Sequence, residues 1–121
     1  MKARVLVVDD EFGMRETLVA ILETAGYDVS QAGDGAAALA TAQSQTFDVI
    51  VMDIRMPELT GVEVLASLTH PPPQIILMTA YALEEQLRIA RDNDAFAIME
   101  KPFQVPYLLS VVEQAAAAAA A

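Results

Sequence analysis

The sequence predicts an α/β domain: a parallel sheet with helices on both of its faces. Two observations point there. Short apolar, β-branched runs alternate with segments of helical apolar spacing five times along 121 residues, the pattern of strand–helix crossovers. The runs themselves are apolar at successive positions, as in strands buried on both sides.

Arg4-Val5-Leu6-Val7-Val8 is the first such run, and two aspartates stop it. From Met14 onward, Met14, Leu18, Ile21, Leu22 and Ala25 mark one helical face, and Gly26 ends that helix. Asp28 to Ala32 reads as a second strand. Gly33-Asp34-Gly35 is a turn and helix start, with an Ala-rich helix running to about Gln43. Val49-Ile50-Val51-Met52 is the third strand, ended by Asp53. A loop containing Pro57 leads to a helix over about Gly61 to Leu68, and His70-Pro71-Pro72-Pro73 must be a connection. Gln74 to Met78 is the fourth strand, followed by Thr79-Ala80-Tyr81. A helix over about Leu83 to Asn93 precedes the fifth strand, Ala95 to Met99. Pro106 suits the first turn of a last helix, where a missing N–H costs little. Ala115 to Ala121 is either the end of that helix or an undefined tail. No internal repeat is visible.

Residues 1–121 are expected to form a single domain with one chain-wide fold. A hydrophobic fraction of 55% argues against disorder, and no apolar run nears the roughly 18 residues that span a bilayer. Met1-Lys2-Ala3-Arg4 runs straight into a strand pattern and lacks the apolar core of a signal peptide, so a cytoplasmic location is expected. Cysteine is absent, which excludes thiol chemistry. Seven basic residues against seventeen acidic ones give a formal charge of −10. Such a chain repels nucleic-acid phosphates and anionic lipid, so neither direct nucleic-acid binding nor membrane attachment is expected.

The polar residues fall at strand ends. Asp9 and Asp10 follow the first strand, Asp53 the third, Thr79 the fourth and Lys101 the fifth. In open α/β sheets, ligands bind beyond the carboxyl ends of the strands, where the strand order reverses. If the first and third strands flank that point, three carboxylates meet there and raise one another's pKa values. A hard divalent cation relieves the repulsion. With only oxygen ligands and a single histidine among prolines, Mg²⁺ is the natural choice. A carboxylate can also attack phosphorus to give an aspartyl phosphate, a step helped mainly by charge neutralisation and positioning. Lys101 offers the charge, Thr79 a hydroxyl, and small Ala80 leaves room.

On Val7-Val8-Asp9-Asp10-Glu11, Met52-Asp53-Ile54-Arg55-Met56-Pro57, Gly61, Met78-Thr79-Ala80 and Lys101-Pro102-Phe103, the chain resembles the receiver domain of two-component response regulators, in its chemotaxis-receiver form. These stretches cover nearly the whole chain in the family's order and spacing. The resemblance implies a flavodoxin-like (βα)5 doubly wound sandwich with a five-stranded parallel sheet of order 2-1-3-4-5. It implies that Asp53 accepts a phosphoryl group from a sensor histidine kinase or phosphotransfer protein. Asp10 and Asp53 would ligate Mg²⁺ directly, Asp9 largely through water, and the backbone carbonyl of Arg55 would be a further ligand. Thr79 and Lys101 would bind phosphoryl oxygens, the Lys101–Pro102 bond would be cis, and Arg55 and Tyr81 would tune the lifetime of the modified state. The only catalysis expected is the chain's own phosphorylation and slow self-dephosphorylation. Output is expected through the surface of the fourth helix, fifth strand and fifth helix, which would also carry any homodimer. One position departs from the pattern. The family usually has Tyr or Phe three residues before the lysine, and here that residue is Ile98, so the aromatic readout of Thr79 is missing.

Each motif also has a plain reading. Asp9-Asp10-Glu11 alone fits an acid-rich helix start, Thr79 an ordinary strand-end hydroxyl, and Lys101-Pro102 punctuation before a helix. Two other functions compete. A phosphatase of the haloacid dehalogenase type needs a second acid two residues after its aspartate nucleophile. Arg55 stands there instead, and Arg55 cannot protonate a leaving group. A receiver-like scaffold that is never phosphorylated is the other alternative: the presence of all five site residues argues against it, and Ile98 keeps it open.

Overall fold

Alternation along each strand decides which side of the sheet every core residue serves, because successive side chains point to opposite faces. In the computed structural model, residues 3–54, 74–80, 88, 91–92 and 95–120 are described. The strands are β1 (Arg4–Val8), β2 (Asp28–Ala32), β3 (Val49–Asp53), β4 (Gln74–Thr79) and β5 (Ala97–Glu100). They form one parallel sheet of order β2-β1-β3-β4-β5, the doubly wound order that the resemblance implied. Three helices are described: α1 (Phe12–Thr24), α2 (Gly35–Ser44) and α3 (Val105–Ala120).

On one face, Leu6, Val8, Ile50, Met52, Ile75 and Leu77 join Ala38 of α2, Phe47 and Ile54 in a buried cluster. On the other, Val5, Val7, Val49, Val51, Ile76, Met78 and Met99 pack against Leu18 and Leu22 of α1 and Leu108, Val111, Val112 and Ala115 of α3. The continuous apolar runs are thus two interleaved half-sets, one for each face. Full burial of such a side chain contributes about 1.5–3 kcal/mol.

Helix ends follow local chemistry. Asp34 caps α2, its Oδ1 accepting from the Ala37 N–H at 2.7 Å. At the end of α1, Gly26 adopts φ 99°, a left-handed conformation that glycine takes without a Cβ clash. The Tyr27 N–H then donates to the Leu22 carbonyl at 3.1 Å and the Gly26 N–H to the Glu23 carbonyl at 3.0 Å, the paired bonds of a Schellman motif. At the amino edge of the sheet, Arg4 binds Asp48, the Thr46 carbonyl and Gln45, and its guanidinium lies 5.1 Å from the Phe47 ring centre.

Several boundaries differ from the sequence expectation. Asp53 and Thr79 are the last residues of β3 and β4 and not residues beyond them. The fifth strand starts at Ala97 and runs to Glu100, against the expected Ala95 to Met99. Its ladder begins at Ile76↔Ala97, and because β4 continues to Thr79, Glu100 gains a partner there. α1 starts at Phe12, ahead of the first apolar position of its buried face, and Ala25 caps it as an exposed residue. The alanine run is helical through Ala120, with Ala115 buried. The expected helix Gly61 to Leu68, the proline connection, Arg55, Pro57 and Tyr81 lie outside the described residues. So does most of Leu83 to Asn93, although Arg88, Arg91 and Asp92 are helical.

Candidate functional site

The register of the sheet assembles the site. Val8 of β1 pairs with Met52 of β3, so the next residues, Asp9 and Asp53, emerge side by side at the carboxyl edge. Asp9, Asp10 and Asp53 each offer a carboxylate oxygen, and those oxygens lie within 4.8 Å of one another. β4 ends beside β3 with Thr79, and the chain after β5 delivers Lys101. The Lys101 N–H donates to the Thr79 carbonyl at 2.7 Å, which ties the two strand ends together. The Lys101–Pro102 peptide bond is cis.

Lys101 Nζ donates to Asp53 Oδ2 at 3.0 Å and to Asp9 Oδ2 at 3.3 Å. The Asp9 side chain is only 1% exposed, against 12% for Asp53 and 16% for Lys101. Burial alone would lower the Lys101 pKa. The hydrogen bonds and negative charges of Asp53 and Asp9 outweigh it and raise the pKa above the ordinary 10.5. Lys101 is therefore a cation at neutral pH. Asp9 has both side-chain oxygens engaged, since Oδ1 accepts from the Glu11 N–H at 2.9 Å. Asp10 is exposed. Thr79 Oγ1, at the carboxyl end of β4, is buried and has no hydrogen-bond partner among the described residues.

The donor set suits a hard cation: three carboxylates and no nitrogen or sulfur ligand among them. Ala80 is exposed beside Thr79. Ile98 is half-buried and packs against the cluster of Leu6, Val8 and Leu77, with Leu77 as its β4 neighbour. It therefore belongs to a core face.

Sequence reasoning passed over Arg15. Its Nη1 donates to the Asp9 carbonyl at 2.8 Å and its Nε to Gln31 Oε1 at 2.9 Å. The guanidinium also lies 5.4 Å from the Phe12 ring centre. The available signal was weak: an arginine one turn into a helix that starts beside an acidic pair.

Residues 5–113 match the family model of the response regulator receiver domain. The chain is 32% identical over 114 residues to the transcriptional regulatory protein PdtaR of Mycobacterium tuberculosis, covering 93% of this chain and 56% of that protein. It is 33% identical over 116 residues to the response regulator receiver protein CpdR of Brucella abortus, covering 92% of this chain and 94% of that protein. The chain thus spans about half the length of some curated relatives it matches. Among solved structures, a chemotaxis protein of Vibrio cholerae superposes with a TM-score of 0.87 at 33% identity, over 95% of this chain and 99% of that one.

Proposed function

The chain belongs to the response regulator receiver domain family of two-component signalling, and from that premise we propose that it is a phosphoacceptor switch with Asp53 as the accepting residue. The observation that carries the reading is the meeting of Asp9, Asp10 and Asp53 within 4.8 Å at the carboxyl edge of the sheet.

In the proposed reaction an Asp53 carboxylate oxygen attacks the phosphorus of a phosphohistidine on a sensor kinase or phosphotransfer protein. The P–N bond breaks, the imidazole leaves, and Asp53 carries an acyl phosphate. Mg²⁺, when bound, supplies charge that neutralises the transferring phosphoryl group. Asp10 and Asp53 would hold it directly. Asp9, already bonded through both oxygens, would act from behind, and the Arg55 carbonyl is the further ligand the family suggests. Lys101 brings a fixed positive charge to Asp53, and Thr79 brings a hydroxyl to a phosphoryl oxygen. Self-dephosphorylation, by water attack on the same phosphorus, would reset the switch. Output would pass through the fourth helix, β5 and α3, with homodimerisation there as one form of it, and the chain would work in the cytoplasm as one receiver unit. Among the described residues no helix is long and apolar enough to cross a membrane.

The test is incubation with acetyl phosphate and Mg²⁺, read by intact mass. Wild type should gain one phosphoryl group, and Asp53→Asn should gain none. Uptake by Asp53→Asn at the wild-type rate would remove Asp53 from the role. No uptake by wild type would favour the unphosphorylated scaffold.

A further inference from the structure

Two cations approach the acidic cluster from opposite edges of the sheet. Lys101 follows β5 and bonds to side-chain oxygens of Asp9 and Asp53. Arg15 stands on the β2 side, and it bonds to the main chain. We infer that Arg15 is a positioning residue for the cation site, a clamp that fixes the Asp9–Asp10 backbone so that both carboxylates stand ready for Mg²⁺; the inference rests on the reading of the Asp53 site given above.

The contacts that hold Arg15 come from separate segments. Nη1 donates to the Asp9 carbonyl at 2.8 Å, and Nε donates to Gln31 Oε1 on β2 at 2.9 Å. The exposed Phe12 ring lies against the guanidinium at 5.4 Å. The turn after β2 makes room: a Cβ on Gly33 would sit 3.2 Å from Arg15 Nη1 and 3.6 Å from Cζ. Gly33 has no left-handed φ to explain it, so its lack of a side chain matters here for space.

Asp9 is consequently pinned at four atoms. Its N–H donates to the Ala32 carbonyl at 3.3 Å and its carbonyl accepts from Arg15. Oδ1 accepts from Glu11 and Oδ2 from Lys101. Asp10, the next residue, takes its direction from that fixed peptide. If the Arg15 bond is removed, the other three bonds to Asp9 remain but its carbonyl loses the partner that fixes the tilt of the Asp9–Asp10 peptide, and the direction of the Asp10 carboxylate is held less tightly. Arginine is required on this argument because one planar fork reaches the carbonyl and Gln31 together while its face stacks on Phe12. An ammonium is a point charge and does none of this jointly.

Groups that orient metal ligands typically change metal affinity about 10–100-fold when removed. The experiment is Mg²⁺ titration by calorimetry on wild type, Arg15→Ala, Arg15→Lys and Gly33→Ala, alongside acetyl phosphate uptake as a function of Mg²⁺. Arg15→Ala should bind Mg²⁺ about 10–100-fold more weakly, and its half-saturating Mg²⁺ for uptake should rise by the same factor, with the maximal rate falling far less. Arg15→Lys should not restore binding. Gly33→Ala, which keeps Arg15 but crowds it, should weaken binding in the same direction by a smaller factor, and it decides the matter should Arg15→Ala fail to fold. Wild-type affinity in folded Arg15→Ala, or in Gly33→Ala where that variant must stand in, would overturn the clamp. Full rescue by Arg15→Lys would overturn it too, since charge alone would then suffice. Wild type that binds Mg²⁺ and takes up phosphate normally would leave the Asp53 reading standing in either case. Wild type that does neither would bring down both.

Discussion

With Nζ already 3.0 Å from Asp53 and 3.3 Å from Asp9, Lys101 does not wait for a phosphoryl group to acquire a partner. On the proposed function, modification makes it exchange carboxylates for phosphoryl oxygens. A switch moves only as far as its contacts differ between states, so the exchange, and not the presence of a charge, would drive the response. Lys101→Ala should still take up phosphate with Mg²⁺, more slowly, while backbone chemical-shift changes away from the site shrink. Wild-type shift changes in phosphorylated Lys101→Ala would refute the exchange. The aspartates, Thr79 and Lys101 were legible in the sequence because each interrupts or follows an apolar run at a strand end. Arg15 was not, since its partners are a main-chain carbonyl and a glutamine, and neither leaves a mark in residue spacing.

At the scale of elements, the junction of α1 and α3 holds a titratable sensor of folding. Tyr27 closes the Schellman end of α1 and packs against the cluster shared with α3. Desolvation and, second, the charge of Glu113 raise its pKa above the ordinary 10.0. The neutral phenol is thus favoured in the folded state. The stabilisation is complete below the unfolded pKa and is lost as pH rises through the folded one, because above about 10 the native state holds more protons than the unfolded chain. Urea unfolding of wild type should weaken with pH across that window more steeply than that of Tyr27→Phe. Parallel pH dependences would show that this junction does not sense the phenol's charge. Element types followed from periodicity, but element ends did not. β5 slid by two residues at its start, and its far end was set by β4, whose extension to Thr79 gave the polar Glu100 a partner. Pairing between strands is a tertiary fact that no single run of residues contains.

For the whole molecule, periodicity predicted a parallel sheet, and the strand order came from the family resemblance; the order and the register together explain why the site is where it is. Both faces are closed by apolar clusters, and the chemistry gathers at the carboxyl edge. The opposite edge carries the Arg4 latch onto Gln45, Thr46 and Asp48, roughly 17 Å away for a five-residue strand. On the proposed function, that separation would let the protein be mounted on a surface by one edge while the other takes up phosphate. The chain has no cysteine, so a single introduced thiol would be a unique handle. Ser44, exposed at the end of α2 next to the latch, donates to the Thr41 carbonyl at 3.2 Å, a local bond and its only side-chain one among the described residues. Ser44→Cys protein coupled to maleimide beads should take up phosphoryl groups at the rate of the free protein, read by phosphate content per bead. A large drop on coupling would show that the two edges are mechanically joined, and immobilised formats would then need a different anchor.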